Sequence, residues 1–245
     1  MPNGEVTKKN GNGDKKVKYA VIEADDDTLK ALVEANLDGR TLTPFDLNKA
    51  TMPIGGSTAW EVPTLEGSEP SKEIRGVLIF ERDVRSFWLS DDMDGQQPDC
   101  RSDDAEHGYG VISDAGEPVE RECKTCAMSQ WGSAGNGSKG QACTLKKILF
   151  ILQPDTLLPL VVFIPPSSLG VINKWLTNLF SFGKLFYGVE LGLSLEKVPG
   201  NGAQYSRVVP RVVRELDKKE AEQVKKYREL LIPSLRVKAA EEAGE

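Results

Sequence analysis

The run Ile148 to Gly183, ILFILQPDTLLPLVVFIPPSSLGVINKWLTNLFSFG, decides the fold class. Ile148 to Leu152 and Leu157 to Ile164 are short apolar segments of β-branched and aromatic character on either side of Gln153-Pro154-Asp155, which reads as strand, turn, strand. Pro165-Pro166-Ser167-Ser168 then opens a helix, in which Leu169, Ile172, Trp175, Leu176 and Leu179 recur at helical spacing. Trp175 belongs to its core stripe, and Gly183 is placed to cap its C-terminal end.

The same reading extends outward in both directions. Downstream, Leu185 to Val198 alternates apolar and polar, and the Gly200-Asn201-Gly202 turn leads to a partner over Gln204 to Val213. Asp217 with Glu220 three residues later starts a final helix whose Ala221, Val224, Tyr227, Leu230 and Leu231 face inward before Pro233. Upstream, Ile74 to Phe80 and Val84 to Leu89, separated by Arg82-Asp83, predict a hairpin. Further upstream, Asp25, Asp26 and Asp27 favour a helix start, Leu29, Leu32 and Val33 give it an apolar face, and Gly39 closes it. Prolines and glycines between Thr41 and Ser71 restrict that stretch to a connector in which Trp60 and Val62 can form a short strand.

Strands, interruption, strands, helix, strands is the element order of a mainly β, α+β domain, and specifically of an OB-like five-stranded barrel with a helix between its third and fourth strands. The expected organisation is a disordered arm over 1–18, a helix and connector over 19–71, an OB-like domain over 72–214 and a C-terminal helix with an acidic tail over 215–245. Within the OB-like domain, residues 90–144 form a zinc-ribbon-like insertion.

Composition bounds the rest. With 245 residues, 39% apolar and 28% charged, the chain can build one large core or two small ones. Its longest apolar run, Leu157 to Ile164, contains Pro159 and falls far short of the roughly 18–20 residues of a membrane span, so no membrane partner is expected. The lysine-bearing N-terminus has no apolar segment behind it, which predicts a cytoplasmic protein. A net charge of −6 excludes a uniformly basic coat but leaves room for a basic groove. Nine carboxylates face three arginines from Glu81 to Glu106, whereas Lys139, Lys146 and Lys147 lie in a stretch without acid. Residues 184–214 also carry Lys184, Lys197, Arg207, Arg211 and Arg214 against only Glu190 and Glu196.

All four cysteines, Cys100, Cys123, Cys126 and Cys143, lie in the insertion as C-x22-C-x2-C-x16-C. A C-x2-C knuckle completed by an outer pair matches the four-thiolate shell of structural zinc, with no open position for a catalytic water. A polar, Gly-rich loop that cannot bury enough surface to order itself could draw that ordering from metal binding. Two disulfides or free thiols, or His107 in place of Cys100, are the alternatives, and a reducing cytosol counts against disulfides. His107, the only histidine, sits near no nucleophile motif and reads as a solvated loop residue. Asp91, Asp92, Asp94 and Asp99 are the carboxylates a metal-dependent nuclease would use, although Ser90 and Arg101 occupy the first and closing ligand positions of a calcium loop.

Several longer words join these motifs: Phe45-Asp46-Leu47, Gly55-Gly56-Ser57-Thr58-Ala59-Trp60-Glu61-Val62-Pro63, Arg85-Ser86-Phe87-Trp88 and Pro98-Asp99-Cys100. Cys123-x-x-Cys126, Gln130-Trp131-Gly132-Ser133-Ala134, Gly140-Gln141-Ala142-Cys143, Leu158-Pro159 and Ile164-Pro165-Pro166-Ser167-Ser168-Leu169 follow. In these words, from residue 44 to about 214, the chain resembles a family of zinc-containing proteins from phages and integrative mobile elements associated with binding single-stranded DNA. It departs from that pattern at Arg101-Ser102-Asp103-Asp104, where a serine, a proline and a glycine would follow the cysteine, and at Gly140-Gln141, which replaces Gly-Lys.

Single strands need cations for the backbone and aromatic faces for the bases. The residues of that type are Arg85 and Trp88, Trp131 in its Gly-rich loop, Lys139, Lys146 and Lys147 around the last cysteine, and Tyr187, Tyr205, Arg207 and Arg211 on the last hairpin. Trp88 and Tyr187 also have a core reading, as strand aromatics usually pack inward, and the lysines could be solvated faces. The expectation is a single-stranded DNA-binding protein of phage or mobile-element replication or recombination, not an enzyme, with a structural zinc. Replication or recombination proteins are its expected partners, through the insertion or through Glu241, Glu242 and Glu245, a cluster that an ordinary frayed terminus would also explain. The rival reading is a zinc-stabilised adaptor or inhibitor that docks on such a protein.

Overall fold

The computed structural model describes residues 19, 27, 28, 31, 46–53, 55–90, 97–113, 116–135, 139–154, 156–200 and 204–235. The expected arm over 1–18, Leu29, Leu32, Val33, Gly39, Asp91, Asp92, Asp94, the Asn201-Gly202 turn and the tail glutamates lie outside those residues.

Eleven strands and two α-helices are described: β1 (Lys49–Ala50), β2 (Trp60–Thr64), β3 (Gly67–Ser71), β4 (Glu73–Phe87), β5 (Cys100–Ser102), β6 (His107–Gly110), β7 (Val119–Glu122), β8 (Thr144–Leu152), β9 (Leu160–Ile164), α1 (Pro166–Ser181), β10 (Val189–Pro199), β11 (Gln204–Glu215) and α2 (Lys218–Leu235). The protein is mainly β with an α+β arrangement. Nine strands form one mixed sheet in the order β1-β9-β8-β4-β5-β6-β7, with β10 joining β4 and β11 joining β10. β2 and β3 make a separate hairpin.

β4 organises the sheet. The expected hairpin of two strands is a single strand of 15 residues, bent by a bulge between Leu78 and Phe80. Arg82 and Asp83 do not break it, because successive side chains leave a strand on opposite faces and each finds a partner there. Asp83 stands 2.9 Å from Lys147 of β8, and Arg82 stands 3.9 Å from Asp103. One edge of β4 pairs with β8 over Val77 to Ser86; the other pairs first with β10 and then, from Arg85 to Phe87, with β5.

The two faces of this sheet bury separate cores. Ile74, Leu78, Leu149, Ile151, Leu160, Val162, Ile164, Leu191, Leu193 and Val208 enclose one with Ile172 of α1, and Trp60 enters it with its indole N–H donated to Leu193 O at 2.9 Å. On the other face, Val77, Ile79, Phe150, Leu152 and Val161 pack under Val224, Tyr227 and Leu231 of α2. Each such aliphatic side chain contributes about 1.5–3 kcal/mol on burial. The sheet is not closed into a barrel, which corrects the expected five-stranded closure. No pairing joins β9 to β11 among the described residues; Ile172 of α1 packs with Leu160 of β9 and Val208 of β11, and Ser168 Oγ of α1 accepts the Val208 N–H at 3.0 Å.

The helix termini follow the sequence signals. Gly183, at φ +67°, ends α1, with Gly183 N donating to Phe180 O at 2.9 Å and Lys184 N to Leu179 O at 2.9 Å, the paired bonds of a Schellman motif. Asp217 and Glu220 form a reciprocal capping box, Glu220 N to Asp217 Oδ1 at 2.9 Å and Asp217 N to Glu220 Oε2 at 2.8 Å. Pro233, expected beyond this helix, lies inside α2.

Candidate nucleic-acid interface and cysteine cluster

The insertion is not a separate ribbon. Through β5 it continues the main sheet, and β6 and β7 extend it further. Cys100 stands opposite Phe87 on one side and Gly110 on the other, and Cys143 leads into β8. Gly110, at φ +138°, admits no side chain: an added Cβ would lie 2.0 Å from Asp99 O. A Cβ on Gly108 would stand 3.3 Å from Cys123 Sγ and 3.5 Å from Cys100 Sγ, so that glycine gives the thiols their room.

Hydrogen bonds hold the knuckle. Cys123 N donates to Glu106 O at 2.7 Å, Cys126 N to Glu122 O at 3.1 Å and Cys143 N to Met128 O at 2.8 Å. Ser129 Oγ donates to the carbonyls of Cys126, at 2.9 Å, and of Cys123. Cys100, Cys123 and Cys143 are buried, and all four cysteines are free thiols, which sets aside the disulfide alternative. Burial pushes Cys143 up to about 11, and the Cys100 and Cys123 charges add to it against Arg85. Burial also raises Cys100, with Arg121 opposing and Cys123 and Cys126 adding, and it raises Cys123 against the Ser102 hydrogen bond and Arg85. The four thiols thus share one electrostatic neighbourhood, with a soft donor set of the type zinc takes. No group of three or more His, Cys, Asp or Glu side chains is disposed as a formed metal shell among the described residues. His107 is exposed as expected but opens strand β6, opposite Glu122, rather than lying in a loop, and its Nδ1 is 2.8 Å from Asp104 Oδ2.

A cleft of about 360 Å³ opens on the face of β4, β8 and β9 beyond the part that α2 covers. Its floor is apolar, made by Val84, Ile148, Val161 and Phe163. Its rim carries Lys49, Arg82, Arg85 and Arg101 against a single carboxylate, Asp103. Register explains the convergence: Arg82 on β4 lies opposite Ile148 on β8, which lies opposite Phe163 on β9, and Lys49 lies beside Val161. Phe163 is 37% exposed although its neighbours Val162 and Ile164 are buried in the other core. Arg85 Nη1 donates to Cys143 O at 3.3 Å, and its buried Nε has no hydrogen-bond partner. Beside the cleft, Lys146 faces Val84 across the strands and holds its Nζ 5.6 Å from the ring centroid of Trp88, with burial lowering the Lys146 pKa.

The other expected contacts are placed elsewhere. Lys147 leaves the opposite face of β8, is 4% exposed and pairs with Glu81 and Asp83; burial opposes its charge and the two carboxylates outweigh it. It is therefore not a surface contact, because strand alternation sends it away from Lys146. Tyr187 is half-buried with the Arg228 guanidinium 4.1 Å from its ring centroid, so its face is already covered. Arg207 pairs with Glu196 at 2.7 Å and Arg211 with Glu73 at 2.5 Å, while Tyr205 stays 36% exposed on the same hairpin. Trp131 is 81% exposed, and the Gly132 N to Gly140 O bond at 2.8 Å brings Lys139, also exposed, to the same loop. Asp99 Oδ2 accepts the Leu89 N–H at 2.8 Å.

Lys49, Arg82, Arg101 and Phe163 are the cleft residues that sequence reasoning missed. Arg82 looked like a strand break, and within an unbroken apolar run nothing marks Phe163 as the side chain that faces out. No helix among the described residues is long and apolar enough to cross a membrane. Comparison of the chain with protein-family models, with curated proteins and with solved structures finds no match.

Proposed function

We propose that this protein binds single-stranded DNA, without chemistry on it, and carries a structural zinc on Cys100, Cys123, Cys126 and Cys143. The observation that carries the reading is the cleft: Lys49, Arg82 and Arg101 rim an apolar floor on which an aromatic side chain is exposed, while Arg85 turns its guanidinium to Cys143 O. That is the combination by which proteins hold a single strand, backbone on cations and bases on aromatic faces. The strand path β9-β8-β4-β10-β11, with α1 between β9 and β10, supports an OB-like relation, whose second and third strands form the usual binding face. Bound zinc would supply the ordering energy that the short strands of the insertion lack on their own. The setting in phage or mobile-element replication or recombination rests on the sequence resemblance.

The test is a titration of a labelled single-stranded oligonucleotide, beside its duplex, with the metal-loaded protein at two salt concentrations. Saturable binding that prefers the single strand and weakens with salt is expected; equal affinity for the duplex, or no binding at low salt, refutes the reading. A protein-docking role has one observation in its favour: Phe180, Phe182 and Leu185 are exposed together around the end of α1.

A further inference from the structure

The cysteine insertion presents two faces. Cys100 lies opposite Phe87, and the two pack with Cys143 on one face of the sheet. Arg101, the next residue, therefore leaves the opposite face. Register places it in one row across five strands: Glu120 on β7, Tyr109 on β6, Arg101 on β5, Ser86 on β4 and Thr144 on β8. Ser86 and Arg101 already line the cleft. Four spacings of about 4.8 Å separate β9 from β6, and the four residues from Arg82 to Ser86 add about 13 Å along the strands, so Phe163 and Tyr109 stand about 23 Å apart. That is room for a few nucleotides, close to the low end of the about 4–16 that one OB fold holds.

Resting on the single-strand reading above, we propose that the insertion is itself part of the DNA track. The strand runs across the sheet from Phe163, past Arg82 and Arg101, to Tyr109, while the thiols support the same strands from behind. Tyr109 is the second base platform, Arg101 holds a phosphate between the two, and Glu120 closes the far end by repulsion. The occupant is single-stranded DNA, since Phe163 and Tyr109 place a ring at each end of the track with the cations Arg82 and Arg101 between them.

The experiment compares the full-length, metal-loaded protein with Tyr109→Ala, Tyr109→Phe, Arg101→Gln and Glu120→Lys, using a labelled 12-nucleotide oligo-dT at several salt concentrations. Metal content and melting temperature are read for each. Tyr109→Ala should weaken binding about 5- to 150-fold and Tyr109→Phe should restore it. Arg101→Gln should reduce the slope of log K against log salt by about 0.7, the loss of one phosphate contact. Glu120→Lys should tighten binding, a gain that misfolding cannot produce, whereas the same charge change at the exposed Glu69 of the separate β2–β3 hairpin should not match it. Variants that bind as the wild type while Phe163→Ala is defective would overturn the proposal and leave the single-strand reading intact. A wild-type protein that binds no oligonucleotide would overturn both.

Discussion

Phe163 separates packing from stacking better than any other residue of the cleft. It sits in β9 with Ile148 and Arg82 across the sheet and is 37% exposed, so its loss removes only part of a buried side chain. Full Phe→Ala truncation in a core costs about 3–5 kcal/mol, and Phe163→Ala at this exposure should cost roughly 1–2 kcal/mol of stability. Phe163→Leu keeps most of the apolar contact and should cost less than about 1 kcal/mol, yet it removes the π face. Stacking of one base is worth about 1–3 kcal/mol, so both variants should weaken a labelled oligo-dT about 5- to 150-fold in fluorescence anisotropy. Lys49, Arg82 and Arg101 set the background. At about 0.7 per phosphate the wild-type slope is about −2.1, so raising salt from 50 to 200 mM costs about 18-fold. Both Phe163 variants should keep that slope, because no cation has changed. Phe163→Leu with wild-type affinity would refute the assignment of Phe163 as a base platform.

Three further outcomes follow from the same contacts. Zinc analysis should find one ion per chain, and Cys123→Ser or a strong chelator should remove it and lower the melting temperature; a metal-free protein with unchanged melting contradicts the four-thiolate site. Arg214 reaches Glu190 and Glu220 at 2.8 Å each, and Glu190 is 1% exposed, so Arg214→Ala should cost about 3–5 kcal/mol in urea unfolding by leaving a buried carboxylate unpaired. In acid, Glu73 is held below its usual 4.5 by the Arg211 and Arg75 hydrogen bonds, and Glu220 by Arg214 and the Asp217 N–H against the opposing effect of burial. Their stabilisation is complete above pH 4.5 and is lost as pH falls through the depressed folded values. Melting temperature should therefore decline on acidification below about pH 4.5, less steeply in Arg211→Ala.

Periodicity and end signals made the local features of this chain legible. The two strands before α1, α1 itself with Gly183 and the capping box at Asp217 are local features, and local hydrogen bonds realise them. What failed was non-local. Arg82-Asp83 reads as a break only until Lys147 of β8 and Asp103, just beyond β5, arrive to neutralise the two side chains on opposite faces. Barrel closure depends on an edge contact that element order does not encode. Of the candidate site, Trp88 and Lys146 beside the cleft were legible as an aromatic and a cation near strand ends. Phe163 and Arg101, whose facing is fixed by register, were not. Lys147 shows the converse: next to Lys146 in sequence, it leaves the sheet on the other side.

Photo-cross-linking locates the single strand on the protein directly. A 5-iodo-deoxyuridine-substituted oligonucleotide irradiated with the metal-loaded protein and mapped by peptide mass spectrometry should mark the peptides that carry Phe163 and residues 97–110. Cross-links confined to the β10–β11 hairpin or to the Trp131 loop, with none on β9 or β5, would contradict that placement.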